Sequence, residues 1–308
     1  MGRRRRPLRR RVGARLRRLA NSPPRHAHSP AAHRRERAVM TVDFAQKYGP
    51  CAVIAGASEG VGASLADQLA QRGLDLVLIA RNKTLLDEVA AGVRERHGVE
   101  AKPVALDLTV PDISERVAAA TNGLEVGLVI YNAGAANRAV EFLDDSFEDS
   151  LRQIQLACIG PVALARHFAP AMRQRGRGGI VLVGSLACLS GASLLAVYSA
   201  VKAFDVNFAE GLWAELHPHG VDVCCTPLGM TYTEAFQRMG VPFDPDTVML
   251  PEDAAREIIE NIGSGPTYPV GESNRTMASM VWTVDRRTLV ELTSAASIDF
   301  AAKVGTAN

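Results

Sequence analysis

A three-layer α/β/α fold on a doubly wound parallel sheet is the class that this 308-residue sequence predicts. Three observations predict it. Apolar runs of strand length recur from residue 51, stretches with helical spacing separate them, and the runs are apolar almost without interruption. Alternating strand and helix means βαβ units and a parallel sheet, and continuous apolar strands mean burial on both faces.

The runs, in order, are 51–56 (CAVIAG), 74–80 (LDLVLIA), 101–108 (AKPVALDL), 124–134 (LEVGLVIYNAG), 178–185 (GGIVLVGS) and 221–229 (VDVCCTPLG). Several are rich in Val and Ile, as strands are. The stretch 63–73 (ASLADQLAQRG) has helical spacing and ends on a Gly suited to a C-cap, and 83–98 follows the same pattern. Residues 179–201 carry no charge, a length that suggests a membrane span. Gly184, Ser185, Ser190, Gly191 and Ser193 divide it into a strand, a polar loop and a helix start, so no span is predicted.

Charge separates the chain into two unlike pieces. Residues 1–38 hold fourteen Arg and one acid, Glu36, a local charge of +13; the whole chain's +2 less that +13 leaves −11. An acidic body argues against nucleic acid as partner of the folded part. The leader, 1–39, lacks an apolar signal-peptide core. It reads as a disordered extension ahead of a start at Met40, with a transit peptide or a nucleic-acid-binding arm as the other readings. Residues 40–308 read as one domain, with a small lid at about 230–250 and an extension over 275–308. Five Cys without a C-x-x-C pair point to a reducing, cytoplasmic compartment and no structural metal.

The chemistry begins where the first strand ends. Gly56, Gly60 and Gly62, with Ser58, Glu59 and Val61 between them, lead from a strand into a helix. A loop without Cβ atoms lets backbone N–H groups and a helix N-terminus meet a pyrophosphate. At the end of the second strand stand Arg81 and Asn82, where an acid would hold the ribose hydroxyl of NAD and an Arg suits the 2′-phosphate of NADP. NADP(H) is therefore predicted over NAD(H), with Glu59 as the opposing charge.

Tyr198 and Lys202 lie four residues apart, on one face of a helix. A free Tyr, with a pKa of ~10, is a poor base at neutral pH, and a nearby cation favours its phenolate. Ser185, thirteen residues before Tyr198, offers a hydroxyl.

These features, with Tyr131-Asn132-Ala133-Gly134 ending the fourth strand, resemble the short-chain dehydrogenase/reductase family over nearly all of 49–272. The resemblance implies a Rossmann-type fold that moves hydride between cofactor and a carbonyl or alcohol carbon. It makes Tyr198 the proton donor and acceptor. Lys202 assists Tyr198 and binds the nicotinamide ribose, and Ser185 polarises the carbonyl. Asn132, Ala133, Gly134, Asp107 and Leu108 fall on the adenosine side, and Leu228, Gly229, Thr231 and Thr233 near the nicotinamide. In this family the helix bearing Tyr198 packs against a partner, so Phe204, Phe208, Leu212 and Trp213 imply a homodimer or homotetramer.

Three positions depart from the pattern. Ala157 stands where the family carries an Asn, Leu228 replaces a Pro, and Ala55 replaces the loop's opening Thr. Gln153, one turn before Ala157, is a candidate substitute, whereas α-helical geometry turns Gln155 away. Met230, Phe236, Met239, Val241 and Phe243 on the lid, with Leu189, Leu194 and Leu195 opposite, predict a pocket for a lipophilic ketone or alcohol. His217 and His219 read as a helix end, and the tail with Met277, Met280, Val281, Trp282 and Leu289 as covering the pocket or joining an interface. The competing reading is a nucleotide-binding homologue with little turnover, a sensor or scaffold, which Ala157 favours.

Overall fold

Strand by strand, the apolar runs pair into one six-stranded parallel sheet of order β3-β2-β1-β4-β5-β6. The computed structural model describes residues 44–134, 139–240, 243–245, 247–281 and 283–307. The leader, Met40, Val241 and Trp282 lie outside the described residues. The strands are β1 (Cys51–Ala55), β2 (Asp75–Ala80), β3 (Ala101–Ala105), β4 (Val126–Tyr131), β5 (Gly178–Leu182) and β6 (Val221–Cys225). Each lies within its apolar run. The order reverses between β1 and β4, and in open α/β sheets this switch point opens a crevice beyond the strands' C-terminal ends.

Successive strand side chains point to opposite faces, so one strand feeds two cores. Ile54, Leu78 and Ile130 join helices α1 (Gly60–Ala70), α2 (Lys83–His97) and α8 (Pro251–Glu260) on one side. Val53, Val77, Val129 and Ile180 face α3 (Ile113–Ala120), α5 (Gly160–Arg175) and α6 (Ala196–Leu216) on the other. Ile54 and Ile130 expose no surface at all.

Local chemistry sets the helix ends. Asn82 caps α2, its side chain accepting from Leu85 N–H at 3.2 Å, and Gly98 ends that helix in the left-handed conformation. Helix α1 begins three residues before the run expected from sequence, taking Gly60 and Gly62 into its first turn. Between α4 (Phe147–Ile154) and α5 the chain makes a π-helical turn, Gln155–Ile159. Pro161, in the first turn of α5, follows directly and supplies no N–H to the carbonyls of this turn.

Beyond β6 the lid holds a short helix, α7 (Glu234–Gln237), followed by α8, then α9 (Glu272–Val281) and α10 (Arg286–Ala307). The tail docks through α10. Thr293 Oγ1 donates to Gly191 O, Ser193 N–H to Ser294 Oγ, and Ser297 Oγ to Ser193 O. Leu289 is buried as the tail's apolar character implies, whereas Met277 and Met280 are exposed. Among the described residues, no helix is long and apolar enough to cross a membrane.

Replacing Ile130 by Ala removes a fully buried side chain from the centre of the sheet. The expected cost is about 2–5 kcal/mol, read as a lower urea midpoint with an unchanged m-value.

Candidate active site

The site forms at the C-terminal ends of β1 and β4, which are paired as far as Ala55 and Tyr131. Gly56 leaves β1 with φ +88, and a Cβ there would lie 2.7 Å from Ala133 N. One turn into α1, a Cβ on Gly62 would stand 1.8 Å from Gly56 O. The same carbonyl accepts from Asn132 Nδ2 at 2.8 Å, so the loop and the end of β4 are held in contact. Glu59, at the N-cap of α1, makes no side-chain cap, and the first turn holds no acid. The first-turn N–H groups thus lack intrahelical partners and carry the positive end of the helix dipole, which suits a pyrophosphate.

A cleft of about 900 Å³ opens over this loop. Gly56, Ser58, Glu59, Gly60 and Val61 line it, as do Arg81, Asn82, Leu108, Asn132, Ala133 and Gly134. Ser185, Tyr198, Lys202, Leu228, Gly229, Thr231 and Thr233 line the other end. Of the catalytic and cofactor-binding residues predicted from sequence, Gly62 and Asp107 do not line it. Gly62 serves close packing instead. Asp107 accepts from Thr109 N–H at 3.0 Å and Oγ1 at 2.8 Å and pairs with Arg152 at 2.9 Å. Burial pushes its carboxyl up, but these hydrogen bonds and the guanidinium outweigh it and hold the group below the usual carboxylate range.

Glu59 does not stand alone as an opposing charge. Arg238 of the lid meets it through two bonds, at 3.1 and 2.8 Å. Arg81 is exposed and makes no ion pair among the described residues. Arg238 carried no local signal, because 179 residues separate the partners.

The catalytic candidates come together on α6 and β5. Ser185 follows β5 and accepts from Ala187 N–H at 3.2 Å. Lys202 Nζ sits 6.0 Å from the Tyr198 ring centroid. It donates to Val183 O at 3.3 Å and to Asp205 Oδ2 at 3.1 Å. Asp205 was missed from sequence, although a three-residue step from Lys202 places both on one helix face.

The π turn changes what surrounds Ala157. In an α-helix Gln155 would point away, but it opens a π turn, so the α-helical angle does not apply. The widened turn frees the Leu156 carbonyl, which accepts from the Tyr131 hydroxyl. Gly160 makes room, since a Cβ there would lie 2.0 Å from that hydroxyl. Gln153 Oε1 is buried without a hydrogen-bond partner among the described residues, and Gln153 lines a small recess that also reaches Tyr198.

The lipophilic wall is arranged differently from the expectation. Leu194 and Leu195 line that small recess rather than the main cleft. Phe236 turns inward, with Tyr232 at 5.9 Å and Phe300 of α10 at 6.3 Å. On α6, Phe208, Leu212 and Trp213 pack against the core and Phe204 stacks on Phe208 at 5.4 Å. Exposed apolar residues are found on α4 and its approach (Phe142, Leu143, Phe147, Leu151 and Ile154), and others lie on the lid and tail, Met230, Phe243 and Met280 among them. His217 stacks on Trp213 at 4.8 Å.

The sequence profile of the short chain dehydrogenase family matches residues 50–240. This chain belongs to that family. A 7beta-hydroxysteroid dehydrogenase of Clostridium sardiniense is 31% identical over 257 residues, which cover 81% of this chain and 96% of the relative. A very-long-chain 3-oxoacyl-CoA reductase of Podospora anserina is 37% identical over 181 residues, 58% of this chain and 53% of that protein, so the match spans about half its length. A short-chain dehydrogenase from Sphingobium yanoikuyae, solved in complex with NADPH, superposes with a TM-score of 0.67 at 31% identity, covering 75% of this chain and 92% of that one. As a short-chain dehydrogenase the protein is an NAD(P)-dependent oxidoreductase that interconverts carbonyl and alcohol groups.

Gly62→Ala forces Cβ into the Gly56 carbonyl, which backbone must move to relieve. Dinucleotide affinity is expected to fall by about a hundredfold or more, a loss of ~3 kcal/mol, measured by fluorescence titration with NADPH.

Proposed function

We propose that this short-chain dehydrogenase uses NADP(H) to interconvert a bulky lipophilic ketone and its secondary alcohol. The observation that carries the reading is that Ser185, Tyr198 and Lys202 share one cleft with the glycine loop and Arg81. Tyr198 gives a proton to the carbonyl oxygen in reduction and takes it from the alcohol in oxidation. Ser185 donates a hydrogen bond to the same oxygen. Lys202, charged and buried beside Tyr198, favours the phenolate form and binds the nicotinamide ribose. When bound, the cofactor supplies or accepts the hydride.

Three features support NADP(H) over NAD(H). The end of β2 carries no acid, Arg81 has no ion-pair partner among the described residues, and Arg238 takes up the charge of Glu59. Ser58, Asn82, Leu108 and the backbone at Asn132–Gly134 line the end of the cleft that would hold the adenosine. Leu228, Gly229, Thr231 and Thr233 hold the nicotinamide end.

A lipophilic substrate is supported by the Tyr232, Phe236, Phe243 and Phe300 cluster in the lid and tail. The relatives named for a hydroxysteroid and a very-long-chain 3-oxoacyl thioester point the same way. We also propose a homo-oligomer, paired through α4. Phe147, Leu151 and Ile154 form one exposed stripe at steps of four and three residues, with Phe147 74% exposed. Phe147→Asp is then expected to raise the monomer fraction in sedimentation velocity.

The deciding assay follows NADPH and NADH oxidation against steroid ketones, 3-oxoacyl thioesters and aromatic ketones. Turnover with NADPH is expected, and Tyr198→Phe lowers kcat about 10²–10⁴-fold. Arg81→Ala weakens NADPH binding roughly tenfold or more and leaves NADH unchanged, as loss of a charge-assisted bond requires. Tight NADPH binding without turnover on any substrate would favour the low-turnover nucleotide-binding reading.

A further inference from the structure

Resting on the catalytic reading of Tyr198 and Lys202, we infer that Asp205 is a positioning residue that fixes the Lys202 ammonium in the cleft. The two side chains meet at 3.1 Å and are almost fully enclosed, with 3% and 5% of their surfaces exposed. Such a pair adds little to stability, because desolvating two charges offsets their attraction, and well-packed apolar side chains do as well or better. A buried ion pair that reaches a reaction cleft therefore asks for another account.

Donor geometry supplies it. An ammonium has three N–H groups. One goes to Val183 O at 3.3 Å and one to Asp205 Oδ2 at 3.1 Å, leaving one for the cleft that Lys202 lines. A Cβ built on Gly134 would stand 3.8 Å from Lys202 Nζ and 3.9 Å from Ala157 Cβ, which places these groups around one small space. The Ala157 methyl offers no hydrogen bond there. The second anchor of Lys202 comes from its own helix, one turn on, rather than from residue 157.

The surroundings make Asp205 the counter-charge. Besides Tyr198 on α6, the titratable groups within reach of the pair are Cys225 on β6, Cys158 in the π turn, Cys188 in the 3-10 turn Leu186–Leu189, and Tyr131 on β4. Glu210 reaches Cys188, and Asp107 reaches Tyr131. Burial pushes the thiols of Cys158 and Cys188 up to about 11, and those of Cys225 and the Tyr131 phenol up as well, so these four are neutral at pH 7. Burial pushes the Lys202 ammonium down; Asp205, with Tyr198 and Cys225 adding to it, offsets that and holds the group above the ordinary lysine range. Burial also raises the Asp205 carboxyl against the pull of Lys202, so the pairing rests on the 3.1 Å contact.

The test is Asp205→Asn, which keeps the shape and removes the charge, beside Asp205→Glu, which keeps the charge. In full-length protein labelled with 13C-lysine, the Lys202 Cε signal is expected to keep its ammonium shift to about pH 10 in the wild type and the Glu variant, and to titrate at least about one unit lower in the Asn variant. In the ketone assay, the Asn variant is expected to lose about tenfold or more in kcat, with its basic limb moved to lower pH and NADPH affinity within about threefold of wild type. Unchanged Lys202 titration in the Asn variant, or like behaviour of the Asn and Glu variants, overturns the inference. So does titration of wild-type Lys202 below about pH 9, a result that holds whether or not the Asn variant folds. Absence of turnover in the wild type would defeat the functional reading alone and leave the lysine titration to decide this one.

Discussion

The contact on which the site depends is the meeting of the first loop with the end of the fourth strand. Gly56 O accepts from Asn132 Nδ2 at 2.8 Å while Gly62 passes beneath it with no room for a Cβ. The connections that follow β1 and β4 run to opposite sides at this point, because β2 and β4 lie on opposite sides of β1. The open crevice, the uncapped start of α1 and the two groups of candidate residues all follow from that one arrangement. A side chain at either glycine would separate loop from strand before it touched a ligand.

The other end of the cleft rests on a different constraint, the accommodation of a proline. Pro161 supplies no N–H to the carbonyls before it, and the chain just ahead of it makes a π turn. The freed Leu156 carbonyl is taken by Tyr131, which sits at the end of β4 next to Asn132. Helix geometry, strand end and active-site cleft are thereby coupled within a few residues. Ala157 lies inside that turn, so its departure from the family pattern belongs to a region whose backbone is itself irregular.

Electrostatics join the two ends of the cleft to the lid. Arg238 crosses from the lid to Glu59, and a Cβ on Gly60 would meet Thr233 Cγ2 at 2.7 Å, so lid and phosphate loop touch. On the substrate side, α10 hydrogen-bonds the segment that leads into Tyr198 and places Phe300 against Phe236. The tail thus braces the segment ahead of Tyr198 and the lid from outside the cleft.

By itself the sequence determined the strand runs, the fold class and the family, and it named the glycine loop at 56–62, the strand end at Asn132–Gly134 and the Ser185, Tyr198 and Lys202 group. These are local or periodic features: an apolar run, a glycine where Cβ has no room, a four-residue helical step. Tertiary structure alone decided the partners. Asp107 turned to Thr109 and Arg152, Glu59 to Arg238, and Phe236 inward to Phe300. It also decided the turn at Gln155–Ile159, where helical periodicity misplaced Gln155. Long-range charge pairing and a change of helical pitch depend on what the fold brings near, and no spacing in the chain encodes that. Asp205 lies between the two cases: its three-residue step from Lys202 was readable, but only burial of both groups makes the pair matter.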